Sequence, residues 1–91
     1  MYGYKKYITE FLGSVLGMYV LLTSKNYLAI GAALSLASFL GGTISGGAFN
    51  PAVSLALLYD GKMKNIDIIP YIISQILGAM VALFLSKIKF V

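Results

Sequence analysis

The 91-residue chain predicts an all-α membrane protein with three transmembrane helices and one re-entrant half-helix. Three observations lead there. First, the composition is 59% hydrophobic and 11% charged, with mean hydropathy +0.88. A soluble domain this small has too little interior to hide so much apolar surface. Second, three apolar runs, about residues 7–23, 27–44 and 67–86, reach roughly 26–30 Å as helices, close to the thickness of a bilayer's hydrocarbon core. Third, "SGGAFNP" at residues 45–51 should break a helix, and the apolar run at 51–59 reaches only about 14 Å. That piece can go halfway into a membrane and must then return.

The first run follows Lys5 and Lys6 and ends at "TSKN". Basic residues before an apolar run also mark signal peptides. Glu10 lies inside this run, however, and no small-x-small cleavage pattern follows it, so it reads as a retained span. The second run carries Ala29, Ala33, Ala37 and Gly41 on one helical face. After the breaker, "DGKMKN" is a turn-rich loop. Pro70 falls in the first turn of the last run, where its missing N–H matters little. Ser74, Gly78, Ala82 and Ser86 repeat the small-residue stripe there, and Gly13 and Gly17 form GxxxG in the first run. Such stripes are expected to let helices approach closely in lipid. Tyr4, Tyr7, Tyr27, Tyr59 and Tyr71 lie near the ends of the runs, where interfacial anchoring is expected.

Several function classes drop out. The chain has no cysteine and no histidine, and its only acids are Glu10, Asp60 and Asp67. Disulfides and thiolate sites have no residues to build them, and three scattered acids make a metal centre or an acid–base dyad unexpected, so an enzyme is not expected and no cofactor or metal is needed. The net charge is +4, and all seven basic residues are lysines. They flank apolar runs and form no dense cluster. Membrane lipid is therefore the expected partner, and nucleic acid is not.

The breaker carries the functional reading. Non-helical backbone at membrane depth is tolerated only where protein covers it or it lines a wet cavity. Asn50 followed by Pro51 makes a good helix start. The Asn50 oxygen can cap the half-helix while its NH₂ faces a lumen. The helix N-terminus adds roughly half a positive charge. Residues 45–49 would be an extended leg whose carbonyls form a line of acceptors, with Gly46 and Gly47 allowing close approach. Such a lumen suits a small neutral hydrogen-bonding solute and disfavours cations, protons included.

"ISGGAFNPAVSLALL" resembles the asparagine–proline–alanine re-entrant loop of the major intrinsic protein family, the aquaporins and glycerol facilitators. "ITEFLGSVLG" resembles that family's first helix and "PYIISQILGAMVA" its third. The match is to the first half of a member, since Val53 stands where the second half carries arginine. The resemblance implies one half-aquaporin-like domain over residues 1–91. It implies a passive pore for water and small neutral solutes such as glycerol, in a multi-pass protein of the plasma membrane. Asn50, Pro51 and Ala52 would form the constriction, with the Asn50 amide aimed at the solute. Gly46, Gly47, Ala48 and Phe49 would line the pore, and Ala48 stands where many first halves have histidine. Ile30 falls at the filter's aromatic position and Val53 at its arginine position, and, if a second copy supplies the other half, Ser38 takes its fifth-helix position. A charged filter is therefore missing. Glu10 and Gln75 match positions that brace the loop by hydrogen bonds, and a snorkelling interfacial acid stays open as a second reading of Glu10.

Half the usual pore implies a second half. It could be a separate chain, or the same chain in an antiparallel homodimer or higher oligomer. Lys5, Lys6, Lys62 and Lys64 would lie on one side, and Lys25, Lys87 and Lys89 on the other. That bias is weak enough to permit insertion both ways. In such a pair each filter takes Ile30 from one copy and Ser38 and Val53 from the other. The rival readings are a non-conducting protein that docks on full-length channels, and an inactive truncated fragment.

Overall fold

The computed structural model describes residues 3–88, so Lys89 and both extremes of the 1–91 domain lie outside the described residues. Four α-helices follow one another: α1 (Lys5–Thr23), α2 (Tyr27–Ser45), α3 (Pro51–Tyr59) and α4 (Ile68–Ser86), with a 3₁₀ turn at Asn65–Asp67 leading into α4. The boundaries have local causes. Asn26 Oδ1 accepts the N–H groups of Leu28 and Ala29 at 2.8 and 3.2 Å and starts α2. Gly46, at φ 85°, ends it in the left-handed conformation, with its N–H on the Gly42 carbonyl. Asn50 and Pro51 start α3, and Gly61, at φ 76°, turns the chain towards α4.

α1 lies at the centre, packed against both α2 and α4, while α3 leans on α4. Small residues mark the crossings. A methyl added at Gly78 would sit 2.6 Å from the Phe11 carbonyl oxygen and 2.9 Å from Ser14 Cβ. At Gly41 it would sit 2.6 Å from Thr9 Cγ2. The α2 stripe buries Ala33, Ala37, Gly41 and Ser45, and the α4 stripe buries Tyr71, Gln75, Gly78 and Ala82. Gly13 departs from the helix-packing expectation, because the ring of Phe49 fills the notch it leaves. GxxxG spacing shows only that room exists; here a loop side chain takes it.

The interior is polar and the exterior apolar. Glu10, Ser14, Ser45, Ser54, Asp67 and Gln75 are buried, while Phe39, Leu28, Phe84 and many other large apolar side chains are exposed. That inversion fits a protein whose surroundings are lipid. Two helices, Tyr27–Ser45 and Asn65–Ser86, are long and apolar enough to cross a membrane. α1 has the same length as α2 but carries Lys5, Lys6 and Glu10 in its first two turns.

The tyrosine expectation needs correction. Tyr4, Tyr27 and Tyr59 are exposed, whereas Tyr71 is only 4% exposed. Its hydroxyl donates to the Ser45 carbonyl at 2.6 Å. Tyr7 donates to Asp67 Oδ1 at 2.8 Å, and the two rings meet edge to face at 5.9 Å. Asp67 also takes the Lys6 ammonium at 2.9 Å. Tyr71 lies one turn before Gln75 on the inward stripe of α4, so its ring turns to the protein and its hydroxyl finds a backbone acceptor.

Candidate functional site

Between α2 and α3 the chain runs through Gly46, Gly47, Ala48, Phe49 and Asn50. Its geometry is set by Glu10, whose side chain is completely buried. One carboxylate oxygen accepts the Phe49 N–H at 2.7 Å, and the other accepts the Ala48 N–H at 3.1 Å and the Ser45 hydroxyl at 2.6 Å. Gln75 Nε2 reaches the same carboxylate at 2.8 Å and Ser54 Oγ at 2.6 Å. Ser54 in turn donates to the Asn50 carbonyl at 3.0 Å. One carboxylate on α1 and one amide on α4 thus meet both the loop and α3. Four donors converge on one side chain, which suits a loop that has no regular partner strand.

The loop backbone is turned sharply. Gly47 has φ 68°, and Phe49 has φ 56°, a left-handed conformation that a bulky side chain adopts only when its surroundings enforce it. Three contacts enforce it: the Phe49 N–H on Glu10, the Phe49 carbonyl accepting from Ser14 Oγ at 3.3 Å, and the ring against Gly13 and Gly41. The expected run of free carbonyls over residues 45–49 is accordingly shorter. The Ser45 carbonyl takes Tyr71 and the Phe49 carbonyl takes Ser14, because the leg folds back on α1 and α4. The carbonyls of Gly46, Gly47 and Ala48 accept nothing among the described residues.

Asn50 stands at the tip of α3. Its Oδ1 accepts the Ala52 N–H at 2.7 Å, and its NH₂ has no partner among the described residues. Pro51 follows at the first helical position. Beside this tip is an open-sided cleft of about 470 Å³. Of the residues singled out in the sequence, Ile30, Ser38, Gly47, Ala48, Phe49, Asn50, Pro51, Val53 and Gln75 line it. Ile30, Ser38 and Val53 therefore face one cleft within a single copy. Gly46 and Ala52 are not in its wall, and Glu10 stays behind the loop. Ser14, Gly17, Met18 and Leu21 on α1, Leu34 on α2, and Ile76 and Ala79 on α4 also line it. Gly17 reads in the sequence only as a packing residue; the others carry no signal there beyond helical spacing, Leu21 from Gly17, Leu34 from Ile30 and Ser38, and Ala79 from Gln75. No three His, Cys, Asp or Glu side chains among the described residues are grouped to hold a metal.

The chain matches the family described as Major intrinsic protein over residues 1–90. It is 42% identical over 87 residues to glycerol uptake facilitator protein-like 6 of Lactiplantibacillus plantarum, covering 86% of this chain and 40% of that protein. It is 41% identical over 103 aligned positions to aquaporin-8 of Rattus norvegicus, covering 97% of this chain and 39% of that protein. With aquaporin Z of Photorhabdus laumondii it shares 51% identity over 41 residues, covering 45% of this chain and 18% of that protein. The chain thus spans about two fifths of the length of the first two relatives. With nearly its whole sequence inside the family pattern, and a short helix capped by Asn50 beside a cleft at the position of the motif, the chain belongs to the major intrinsic protein family.

Proposed function

We propose that the chain is half of a passive channel for water and small neutral solutes, glycerol among them. In this reading α1, α2 and α4 cross the plasma membrane, and α3 is a re-entrant half-helix whose tip, Asn50-Pro51-Ala52, forms the constriction. Glu10 and Gln75 brace that tip from behind. The observation that carries the reading is the free Asn50 amide at the N-terminus of α3, facing a cleft that one copy leaves open on one side. An amide donor and a positive dipole end favour neutral acceptors and repel cations. The names of the two long relatives, a glycerol uptake facilitator and an aquaporin, agree with that solute class.

The open side needs a second half. A second, inverted copy brings two half-helices tip to tip and closes the lumen, as inverted repeats do within one chain. The filter then carries Ile30, Ser38 and Val53 and no charge, so it is wider and less polar than one with arginine. Stopped-flow osmotic shrinkage of proteoliposomes holding only this chain tests the proposal. Water flux well above that of empty vesicles, with measurable glycerol uptake, is expected. Flux equal to empty vesicles would leave a non-conducting partner of full-length channels in its place. Water flux without glycerol uptake would show that something other than these three side chains narrows the pore.

A further inference from the structure

A second cavity, of about 350 Å³, opens at the end of the bundle where α1 and α4 begin and α2 and α3 finish. No residue lines both this cavity and the Asn50 cleft. Its size suits a small ligand or a headgroup, and its wall has two characters. Ile44, Leu57 and Met63 supply apolar surface, while Lys6, Lys62 and Lys64 bring three ammonium groups against one carboxylate, Asp67. That carboxylate is already committed. It is 5% exposed, with Lys6 Nζ 2.9 Å from each of its oxygens and the Tyr7 hydroxyl donating to one of them. Lys6 is therefore balanced and fixed in place. Lys62 and Lys64 are not. Lys62 Nζ lies 3.1 Å from Asp60 Oδ2, but the two side chains are 71% and 63% exposed, and pairs so exposed hold weakly. Lys64 has no ion pair among the described residues. The loop between α3 and α4 thus sets two loosely held cations at a cavity whose own acid is used.

Tyr59 and Ile66 bracket that loop and are 87% and 76% exposed. Aromatic and apolar side chains at the end of a membrane helix sit at headgroup level. Basic pockets between membrane helices are a setting for anionic headgroups. A phospholipid offers phosphate to the lysines and the start of its acyl chains to Ile44, Leu57 and Met63, whereas free phosphate uses only the lysines. We infer that this cavity is a headgroup site for an anionic phospholipid, with Lys62 and Lys64 on the phosphate and Lys6, held by Asp67, as a fixed part of the wall. The inference goes beyond the channel reading and does not depend on it: it needs only that the chain sits in a bilayer. A lysine beside an anionic headgroup contributes about 1 kcal/mol, roughly fivefold in affinity. Loss of both loop lysines should therefore weaken binding roughly 25-fold.

The test is a titration of the full chain in neutral detergent micelles, at physiological ionic strength so that distant charges are screened. Phosphatidylglycerol, phosphatidylcholine and inorganic phosphate are added in turn, and the thermal unfolding midpoint is followed by circular dichroism. A ligand of the folded state raises that midpoint according to its concentration and affinity. Phosphatidylglycerol should raise it, and the other two should not. The double variant Lys62→Gln with Lys64→Gln changes only exposed side chains, so it should start from the parent's midpoint. It should then need roughly 25-fold more phosphatidylglycerol for the same rise. Lys5→Gln, at the same end of the bundle but outside the cavity wall, should respond as the parent does. An unchanged response in the double variant overturns the proposal. So does a Lys5→Gln effect as large as that of Lys64→Gln alone, because general surface charge is then the cause. If inorganic phosphate matches phosphatidylglycerol, the site takes free phosphate and the lipid is not its ligand. If phosphatidylcholine matches it, the charge of the headgroup is not what is recognised, and the proposal is wrong.

Discussion

Phe49 and Glu10, 39 residues apart in sequence, are joined by a 2.7 Å hydrogen bond from the Phe49 N–H to Glu10 Oε1. That bond, with the one from Ala48 beside it, fixes non-helical backbone against the first helix. It occurs at the one place where α2 has ended and α3 has not begun. Backbone donors there have no helix to satisfy them, and a buried donor left unpaired is costly.

Replacing the carboxylate should therefore loosen the loop. Glu10→Gln leaves one acceptor oxygen for the Ala48 and Phe49 N–H groups and sets an NH₂ against other donors. The Ser45 hydroxyl can fall back on the Gly41 carbonyl, 3.3 Å away, but the backbone donors have no such alternative. A loss of about 2–3 kcal/mol is expected, read by unfolding in mixed micelles, with faster amide exchange at Ala48 and Phe49. Unchanged stability and exchange would show that the carboxylate is not what holds the loop.

Gly13 and Phe49 should be coupled. A methyl at Gly13 would occupy the space of the Phe49 ring. Gly13→Ala is expected to destabilise by about 1–3 kcal/mol, the usual range for overpacking. Phe49→Ala in the same chain should recover part of that loss, giving a non-zero interaction in a double-mutant cycle. Strictly additive effects would mean the ring moves aside freely.

Asn50→Asp keeps an oxygen for the Ala52 N–H but removes the NH₂ donors and adds negative charge at the start of α3. Solute flux should fall several-fold and proton leak should rise, both measured in the same vesicles against the parent chain. Equal flux and leak in the two proteins would remove Asn50 from the constriction.

Orientation decides whether two copies can make one pore. Lys5 and Lys87 are exposed at opposite ends of the helices, whereas Lys6 is committed to Asp67. Cysteine placed singly at 5 or 87 can be labelled from outside intact cells with an impermeant reagent. Partial labelling of both is expected for an antiparallel pair. Full labelling at one position and none at the other would point to a separate second half.

The helical segments were legible in the sequence because their causes are local. Apolar runs, the Asn26 and Asn50 caps, Gly46 and Pro51 set where helices start and stop within a few residues of themselves. So was the position of the motif, since Asn-Pro-Ala is read from adjacent residues. The two readings of Glu10 could not be separated at that level. Either fits an acid six residues into a helix, and only the approach of Ser45, Ala48, Phe49 and Gln75 from distant points of the chain gives its carboxylate four donors.

What the sequence by itself determined, then, is an all-helical chain with a break, a cap and the family to which they belong. The tertiary structure decided which polar groups meet. It turned Tyr71 inward to the Ser45 carbonyl, closed two of the five loop carbonyls, seated Phe49 in the Gly13 notch and joined Gln75 to both Glu10 and Ser54. The physical reason is range. Helix formation is governed by neighbours one turn away, whereas a buried hydrogen bond forms only after helices far apart in sequence have packed, and each donor then takes the acceptor that packing brings within reach.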